Sequence, residues 1–352
     1  NSYPSSGWPV AIFQHGITGN RTNDLAVADS YAQEGIATIA IDLPLHGITS
    51  NTNPFYDNQL ADQAPVDVTT GVAERTFNLP APPPATGIAP SGTYFINLNY
   101  LLTSRDNLRE AVADLLHLTE TLPSASFVTA GGTSEKFNTL ATYFSSISLG
   151  SIVGVPYLAE VPNIPNYNST IKVQSGFLSE PGGKIAYLLQ TSPTFSPQIN
   201  QGLAQLGLVP GTLGYDTFFQ QAQTVIDSGD PLNYAKTAAA NIPINMTEVV
   251  GSSTNPPDNV VPNWTENLLV NAMGLTTYTK TTVDTSGIRG LVKFNAGAHA
   301  SLLDPSYSPR VTKQMQAQMA AFAGGCPASV CGSTLPPNGE TMLILDSGVV
   351  TP

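Results

Sequence analysis

Small residues separate two apolar runs in the stretch Tyr143-Phe144-Ser145-Ser146-Ile147-Ser148-Leu149-Gly150-Ser151-Ile152-Val153-Gly154. Its centre, Ser146-x-Ser148-x-Gly150, differs by one residue from the G-x-S-x-G elbow, in which a serine stands on a tight turn between a strand and a helix. Such a turn needs small flanking residues because the two backbones nearly touch. Short serine and glycine motifs also arise by chance, so the rest of the chain must support this interpretation.

Two apolar runs before this turn predict neighbouring strands. Residues 8–14 form a buried strand that leads into the glycine-rich loop His15-Gly16-Ile17-Thr18-Gly19. Residues 24–34 have helical spacing, with Leu25 on the apolar face. Residues 36–41 form a second buried strand. The order strand, helix, strand indicates a parallel sheet.

The remaining elements extend this sheet and divide the chain. Periodic or apolar runs predict helices over 105–122 and 311–322 and strands over 139–144, 170–175, 242–250, 291–295 and 342–346. Residues 50–98 lack a lasting period and are interpreted as a long surface excursion. Residues 185–238, between two core strands, are mostly helical and apolar, which is typical of a cap or lid over the carboxyl edge of the sheet. We therefore predict an α/β core over residues 1–184 and 239–352 with a helical cap over residues 185–238.

The composition excludes several classes of protein. The chain has 352 residues, of which 41% are hydrophobic, so it can bury a sizeable core. Thirteen basic against 25 acidic residues give a net charge of −12, and no basic cluster occurs. This charge argues against nucleic acid as a partner and against polybasic attraction to anionic lipids. No apolar run approaches about 18 residues, so no transmembrane helix is expected.

The two cysteines bear on the compartment. Cys326 and Cys331 are separated by four residues and can close a small disulfide loop, with two free thiols as the alternative. A metal site would need further Cys or His nearby, and the sequence has none there. A disulfide implies an oxidising compartment, so a secreted, cell-surface or periplasmic location is expected. Position 1 is not methionine and no signal peptide is visible, so we expect a processed or trimmed piece of something longer.

A serine nucleophile needs a base, and four histidines make the search short. They are His15 and His46 at strand ends, His117 inside an amphipathic helix, and His299 after the last core strand. Enzymes with such an elbow carry nucleophile, acid and histidine in that order along the chain. Only His299 follows Ser148, so His299 is the predicted base.

The acid should follow the penultimate core strand. Asp258, in the turn Pro257-Asp258-Asn259 after that strand, can reach a histidine from the next strand's loop. The alternative is an ordinary turn residue, because Asp and Asn also favour turns for local reasons. Glu248, within the strand, is the second candidate.

A tetrahedral intermediate needs two backbone donors. The first is the N–H of Leu149, directly after the nucleophile, and the second is the N–H of Ile17 in the loop after the first strand. Each such donor typically lowers the barrier by about 3 kcal/mol. We predict that His15 and Gly16 of the same loop, and Ile147 beside the serine, contact the substrate.

Taken together, these segments resemble the α/β-hydrolase fold over nearly the whole chain. The resemblance rests on His15-Gly16-Ile17-Thr18-Gly19, Asp42-x-Pro44-x-His46-Gly47, Ser146-Ile147-Ser148-Leu149-Gly150 and Asp258…Val261-Pro262…His299. It implies a mostly parallel central sheet flanked by helices, with a helical cap insertion. It also implies a Ser148–His299–Asp258 triad with an oxyanion hole of Ile17 and Leu149, and no cofactor or metal.

More narrowly, the chain resembles the bacterial extracellular lipases, the family that includes the surface lysophospholipase VolA. The residues that carry this resemblance are Arg105-Asp106-Asn107-Leu108-Arg109, Pro181-Gly182-Gly183-Lys184-Ile185-Ala186 and Asp227-Ser228-Gly229-Asp230-Pro231-Leu232-Asn233-Tyr234. The serine motif of that family reads Gly-His-Ser-Leu-Gly, whereas Ser146 and Ile147 take its first two places here. The departure bears on substrate preference more than on the class of reaction.

Three functions follow as hypotheses. The first is a serine-dependent carboxylic ester hydrolase for fatty-acyl, lysophospholipid or hydrophobic polyester substrates, because the insertion is apolar; it would touch lipid surfaces peripherally and work as a monomer. The second is a catalytically inactive surface binding module, which only the altered Ser146-Ile147 half of the motif favours. The third is an amidase or peptidase, since the same triad serves that chemistry.

Overall fold

The computed structural model of the protein describes residues 4–56, 74–129, 131–284, 286–325 and 341–352. The predicted disulfide between Cys326 and Cys331 lies outside these residues. Within the described ranges, no helix is both long and apolar enough to cross a membrane.

A mostly parallel sheet forms the centre of the molecule. The strands are, in chain order, β1 (Trp8–Gln14), β2 (Ala37–Ala40), β3 (Ser126–Val128), β4 (Ser134–Ile147), β5 (Val173–Ser179), β6 (Ile244–Val249), β7 (Thr276–Thr277), β8 (Thr282–Val283), β9 (Arg289–Phe294), β10 (Thr341–Met342) and β11 (Val350–Thr351). The order across the sheet is β2-β1-β4-β5-β6-β9-β11, with β3 paired to β4 and β7 to β9. Every neighbouring pair from β2 to β9 along this path is parallel, and β11 closes the path antiparallel to β9. This arrangement confirms the predicted α/β class.

Helices cover both faces of this sheet. They are α1 (Ala28–Gln33), α2 (Leu101–Thr121), α3 (Leu149–Glu160), α4 (Ile185–Thr191), α5 (Ser196–Ala204), α6 (Leu213–Ile226), α7 (Ala235–Asn241), α8 (Asn263–Met273) and α9 (Pro309–Gly324). Side chains alternate along β1: Val10 and Ile12 pack with α2 and α3, whereas Ala11 and Phe13 pack with α1 and α9. Because successive strand residues point to opposite faces, a strand that is buried on both faces must be apolar throughout.

Several elements differ from the sequence-based expectation. The segment predicted as one helix over 24–34 is a 3₁₀-helix, Arg21–Ala26, followed by α1, and Leu25 is 60% exposed. The 3₁₀ turn has three residues per turn, which rotates Leu25 away from the core stripe. Strand β2 was expected to be buried, but all its residues are half-buried because it is the outermost strand of the sheet.

The described part of the excursion is not merely a surface segment. Phe95 is fully buried and lies 5.3 Å, centroid to centroid, from the ring of His46. Glu74 is buried and forms an ion pair with Arg21. Long polar stretches can thus contribute isolated residues to a core without any periodic pattern. The division into core and cap stays a prediction; residues 185–238 contain α4 to α6 and the first four residues of α7.

Candidate active site

Ser148 occupies a tight turn between β4 and α3. Its backbone angles are φ 57° and ψ −125°, which a non-glycine residue rarely adopts. The Ser148 N–H donates to the Ser179 carbonyl at 2.8 Å, and the Ser148 carbonyl accepts from the N–H groups of Ser151 and Ile152. Such a conformation costs on the order of 1–3 kcal/mol and persists only where the surroundings impose it. Strain of this kind is typical of a functional residue.

The residues beside Ser148 explain why the altered motif still fits the turn. A Cβ atom on Gly150 would lie 2.3 Å from the Gln14 carbonyl oxygen, so glycine is required where α3 begins against β1. Ser146, at the position of the first glycine of the pattern, is buried. Its Oγ hydrogen-bonds with Ser151 Oγ at 2.9 Å and donates to the Phe177 carbonyl at 3.3 Å. The extra hydroxymethyl group therefore has both space and partners.

Asp258 and His299 form a close pair. Asp258 Oδ2 lies 2.6 Å from His299 Nδ1. Asp258 Oδ1 accepts from the N–H groups of Val260 and Val261, at 2.7 and 3.2 Å, so both carboxylate oxygens are used. A carboxylate beside Nδ1 keeps the proton on that nitrogen and leaves Nε2 free to accept one.

The second ring nitrogen of His299 is buried and finds no hydrogen-bond partner among the described residues. No hydrogen bond between it and Ser148 Oγ occurs in that part of the chain either. Catalytic hydrogen bonds are often long or absent before substrate binds and tighten in the complex.

Glu248, the second candidate for the acid, lies elsewhere. It is buried, and neither of its carboxyl oxygens has a hydrogen-bond partner among the residues that the structure describes. His299 is paired with Asp258 instead, which makes Asp258 the residue that the geometry favours.

The two predicted oxyanion donors lie next to the serine. Leu149 is the first residue of α3, so its N–H has no acceptor within the helix. Gly16 brings the other loop close, since a Cβ atom on Gly16 would lie 2.9 Å from Ser148 Cβ and 3.4 Å from Ser148 Oγ. The Gly16 carbonyl accepts from Gly19 N–H at 3.1 Å. Because a trans peptide is planar, the N–H of Ile17 points away from that carbonyl.

His15, which the sequence predicts to contact the substrate, lies inside its own loop. Its side chain is fully buried, with Nδ1 2.8 Å from the Gly16 carbonyl and Nε2 accepting from Leu43 N–H at 3.1 Å. Burial lowers the pKa of His15 to about 4, and that of His46, whose ring lies 5.2 Å away, to about 4 as well. Both rings are therefore neutral near neutral pH, and His15 supports the loop that carries Ile17.

Ile147, also predicted to contact the substrate, packs into the core. It is buried in the apolar cluster that contains Phe13, Tyr31 and Phe294, on the α1 and α9 side of the sheet. Because successive side chains of a strand point to opposite faces, the side chain of the residue before Ser148 points into the core. Of the three predicted contacts, only Gly16 lies against the nucleophile.

Sequence reasoning missed the acidic surroundings of the pair. Glu180 follows β5 and Glu266 lies in α8, and both are buried near Asp258. A signal for Glu180 was present, because a charged residue directly before Pro181-Gly182-Gly183 ends a buried strand at the same edge as Ser148. No group of three or more His, Cys, Asp or Glu is arranged to hold a metal among the described residues.

The predicted cap is bonded to the turn that carries the acid. Ser192 Oγ, after α4, donates to the Val260 carbonyl at 2.6 Å, and Thr194 N–H donates to the Asn259 carbonyl at 3.0 Å. The segment between α4 and α5 therefore lies beside Asp258, at the carboxyl edge of the sheet.

The strand order, the strained serine between β4 and α3, and the acid–histidine pair at the same edge define an α/β-hydrolase fold. No protein-family model matches the chain, and no curated protein matches it. Solved structures with a similar course of the chain include acetyl xylan esterase 1 from Thermoanaerobacterium sp. JW/SL YS485, at 13% identity and a TM-score of 0.48 over 90% of this chain and 76% of that one.

Two further similar structures are esterases by name. Carboxyl esterase 2 from Tuber melanosporum has 11% identity and a TM-score of 0.47 over 92% of this chain and 81% of that one. An esterase from Pyrobaculum calidifontis has 11% identity and a TM-score of 0.46 over 95% of this chain and 79% of that one.

Proposed function

We propose that the protein is a serine-dependent carboxylic ester hydrolase. The observation that carries this proposal is the strained Ser148 at the sheet edge that also holds a half-buried histidine with its carboxylate partner 2.6 Å away. A strained serine and an imidazole oriented by a carboxylate are the groups that nucleophilic acyl transfer requires.

The reaction runs in two halves. Ser148 Oγ attacks the acyl carbonyl carbon while His299 Nε2 takes the hydroxyl proton, and Asp258 stabilises the imidazolium that forms. The carbonyl oxygen becomes an oxyanion that accepts from the N–H groups of Ile17 and Leu149. Collapse expels the alcohol, which takes the proton from His299, and leaves an acyl ester on Ser148. Water then attacks the acyl ester while His299 Nε2 takes a proton from it. Collapse of the second intermediate releases the carboxylic acid, and Ser148 Oγ takes the proton back from His299.

The predicted cap favours hydrophobic substrates. Residues 185–215 contain no Asp, Glu, Lys or Arg, although the whole chain carries a net charge of −12. Around the α5–α6 connection, Leu206 and Leu213 are 69% and 84% exposed. An uncharged surface with exposed leucines suits fatty-acyl esters, lysophospholipids or an insoluble polyester, and it suits peripheral contact with a lipid surface. Such a surface would not strengthen the binding of small charged esters.

The test is a series of p-nitrophenyl esters of increasing acyl length, with wild type and Ser148→Ala. We expect turnover by wild type and a loss of several orders of magnitude in the variant. Ser146→Ala, two residues away in the same turn, is the matched control and should keep most of the activity. A covalent serine-directed probe should label the peptide that contains Ser148. Unchanged turnover in Ser148→Ala would show that Ser148 is not the nucleophile. If the wild type turned over no ester, the inactive binding module would be favoured.

A further inference from the structure

Two peptide units set the orientation of the Asp258 carboxylate. Asp258 Oδ1 accepts from the Val260 N–H at 2.7 Å and from the Val261 N–H at 3.2 Å, while Oδ2 lies 2.6 Å from His299 Nδ1. The last torsion of an aspartate side chain has broad preferences, so hydrogen-bond partners fix the plane of the carboxylate. The positions of these two N–H groups therefore decide how Oδ2 meets the imidazole.

The predicted cap binds the opposite ends of the same two peptide units. The Val261 N–H shares its peptide unit with the Val260 carbonyl, which accepts from Ser192 Oγ at 2.6 Å. The Val260 N–H shares its unit with the Asn259 carbonyl, which accepts from the Thr194 N–H at 3.0 Å and from Thr194 Oγ1 at 2.8 Å. Because a trans peptide unit is planar, a partner that holds its carbonyl also fixes the direction of its N–H.

Hydrogen bonds that follow one another in this way also strengthen one another. A donor on the carbonyl polarises the peptide unit and makes its N–H a better donor. The chain of bonds starts at Ser192 Oγ, passes through the carbonyl of Val260, and ends where Asp258 meets the imidazole. Ser192 and Asp258 are both buried, so water does not readily replace the bonds between them.

Ser192 is itself held in place at the end of α4. Its N–H donates to the Leu188 carbonyl at 2.8 Å, and its Oγ accepts from the Phe195 N–H at 3.2 Å. The other end of α4 is bonded to the buried Asp230, whose Oδ2 accepts from the Ile185 N–H at 2.8 Å. Helix α4 therefore presents the Ser192 hydroxyl at a defined position beside the acid.

We propose that Ser192 and Thr194 are positioning residues for Asp258, so that the predicted cap aims the acid at His299. The inference rests on the proposed function, since it gives Asp258 the role of the acid in the reaction. Among the described residues, neither Ser192 nor Thr194 has a hydrogen bond to Ser148 or His299. Their effect on the reaction therefore passes through Asp258.

Ser192→Ala tests the buried donor. It leaves the Val260 carbonyl without its partner, and the loss of one hydrogen bond of this kind corresponds to a decrease of up to about tenfold. We expect kcat on a dissolved p-nitrophenyl ester to fall by about that factor with KM little changed. Ser104→Ala is the matched control, because Ser104 Oγ is buried and likewise bonds one carbonyl and one N–H, both of Asn97. It should keep the kcat of wild type.

A double-mutant cycle separates positioning from a general loss of stability. When Asp258→Asn has already removed the acid, Ser192→Ala has nothing left to position. We therefore expect Ser192→Ala to lower kcat about tenfold in wild type and less than about twofold in the Asp258→Asn background. A serine that merely stabilised the cap or bound substrate would lower kcat or raise KM by the same factor in both backgrounds.

Thr194 supplies a second, milder variant that does not disturb a buried site. Its side chain is exposed, and the Asn259 carbonyl keeps the Thr194 N–H when the hydroxyl is removed. We expect Thr194→Val to lower kcat about threefold. Thr194→Ser, which retains the hydroxyl, should have the kcat of wild type. This pair decides the question if Ser192→Ala does not fold, and a Thr194→Val variant with the kcat of wild type would then count against the proposal.

The Nδ1 proton resonance of His299, measured without substrate, separates this proposal from the proposed function. We expect it far downfield in wild type and in Ser104→Ala, and moved upfield in Ser192→Ala, because a longer bond to Asp258 deshields the proton less. This shift is expected even if no ester is turned over. An unmoved resonance in Ser192→Ala, a wild-type kcat in that variant, or an equal loss of kcat in the Asp258→Asn background would each overturn the proposal.

Discussion

Asp258 Oδ2 lies 2.6 Å from His299 Nδ1, and the other oxygen of the same carboxylate accepts two backbone N–H groups. Replacing Asp258 by Asn puts an amide where the imidazole donates its proton, which favours the wrong tautomer of His299. We expect Asp258→Asn to lower kcat by about 10⁴-fold while the fold is retained. Ester turnover and the thermal midpoint of each variant provide the measurement.

Glu248→Gln is the matched control for this prediction, because Glu248 is a buried carboxyl group of the same strand–turn unit without a bond to His299. It should keep most of the activity near neutral pH. If Glu248→Gln lost as much activity as Asp258→Asn, the acid would have to be reassigned.

The chain order of serine, acid and histidine led from the sequence to Asp258 and His299, and the structure pairs these two side chains at 2.6 Å. Strand β1 was likewise predicted with its observed limits, since its seven residues are apolar enough for both faces. By contrast, the half-buried state of β2 depends on its place at the sheet edge, which no local pattern records.

The surroundings of Glu180 could not be predicted for a related reason. Glu180 follows β5 and Val249 ends β6, and the parallel pairing of these two strands brings the Glu180 carboxyl group to the Val249 N–H. The role of His15 was also hidden, because a histidine before glycine is the same in sequence whether its ring faces the substrate or the core. Burial and two hydrogen bonds decide the matter only in three dimensions.

Gly16 provides a test of the oxyanion loop. A Cβ atom there would lie 2.9 Å from Ser148 Cβ and 3.2 Å from the Ile147 carbonyl oxygen, so the loop with Ile17 must move away. Losing one oxyanion donor typically costs about 10²- to 10³-fold in kcat. We therefore expect Gly16→Ala to lower kcat by about that factor with a smaller effect on KM.

Gly202→Ala is the control, because no atom lies within 4 Å of a Cβ built on Gly202 in α5. It should leave ester turnover unchanged. Wild-type kcat in Gly16→Ala would mean that the Ile17 N–H does not contribute to catalysis.

The exposed leucines of the predicted cap should matter only for insoluble substrates. Each leucine side chain that leaves water on a lipid or polyester surface stabilises binding by on the order of 1 kcal/mol. We expect the double variant Leu206→Ser, Leu213→Ser to turn over an emulsified long-chain ester roughly tenfold more slowly than wild type. Its rate on a dissolved short-chain p-nitrophenyl ester should be unchanged.

Val128→Ser is the matched control, since Val128 is 70% exposed but pairs with the first residue of β4, the strand that ends next to Ser148. Strand β4 has 14 residues, so its first residue lies about 45 Å from its last, which precedes Ser148. Equal slowing on both kinds of substrate, or the same slowing by Val128→Ser, would contradict a surface-docking role for the cap.

Buried histidines and a buried glutamate make the free energy of unfolding depend on pH in opposite directions. Burial lowers the pKa of His15 and His46 to about 4, so the unfolded chain binds more protons and the free energy of unfolding falls as pH drops from 6.5 toward 4. Burial raises the pKa of Glu248 from 4.5 to about 7, against the opposing charge of Lys293. Because these effects partly cancel in wild type, each is best measured as a difference between wild type and a variant.

Glu248→Gln removes the titration of this glutamate, whose charge also raises the pKa of Glu180 and Glu266. The folded protein binds more protons than the unfolded chain between pH 4.5 and about 7, so the contribution of Glu248 to stability is complete below pH 4.5 and is lost as pH rises through this window. A pKa difference of this size corresponds to about 3 kcal/mol. In urea unfolding, Glu248→Gln should therefore gain about 3 kcal/mol relative to wild type between the acid and the alkaline side of the window. An exposed glutamate of α2, Glu110→Gln, serves as the control, and a constant difference for Glu248→Gln across the window would mean that Glu248 is not buried as a neutral acid.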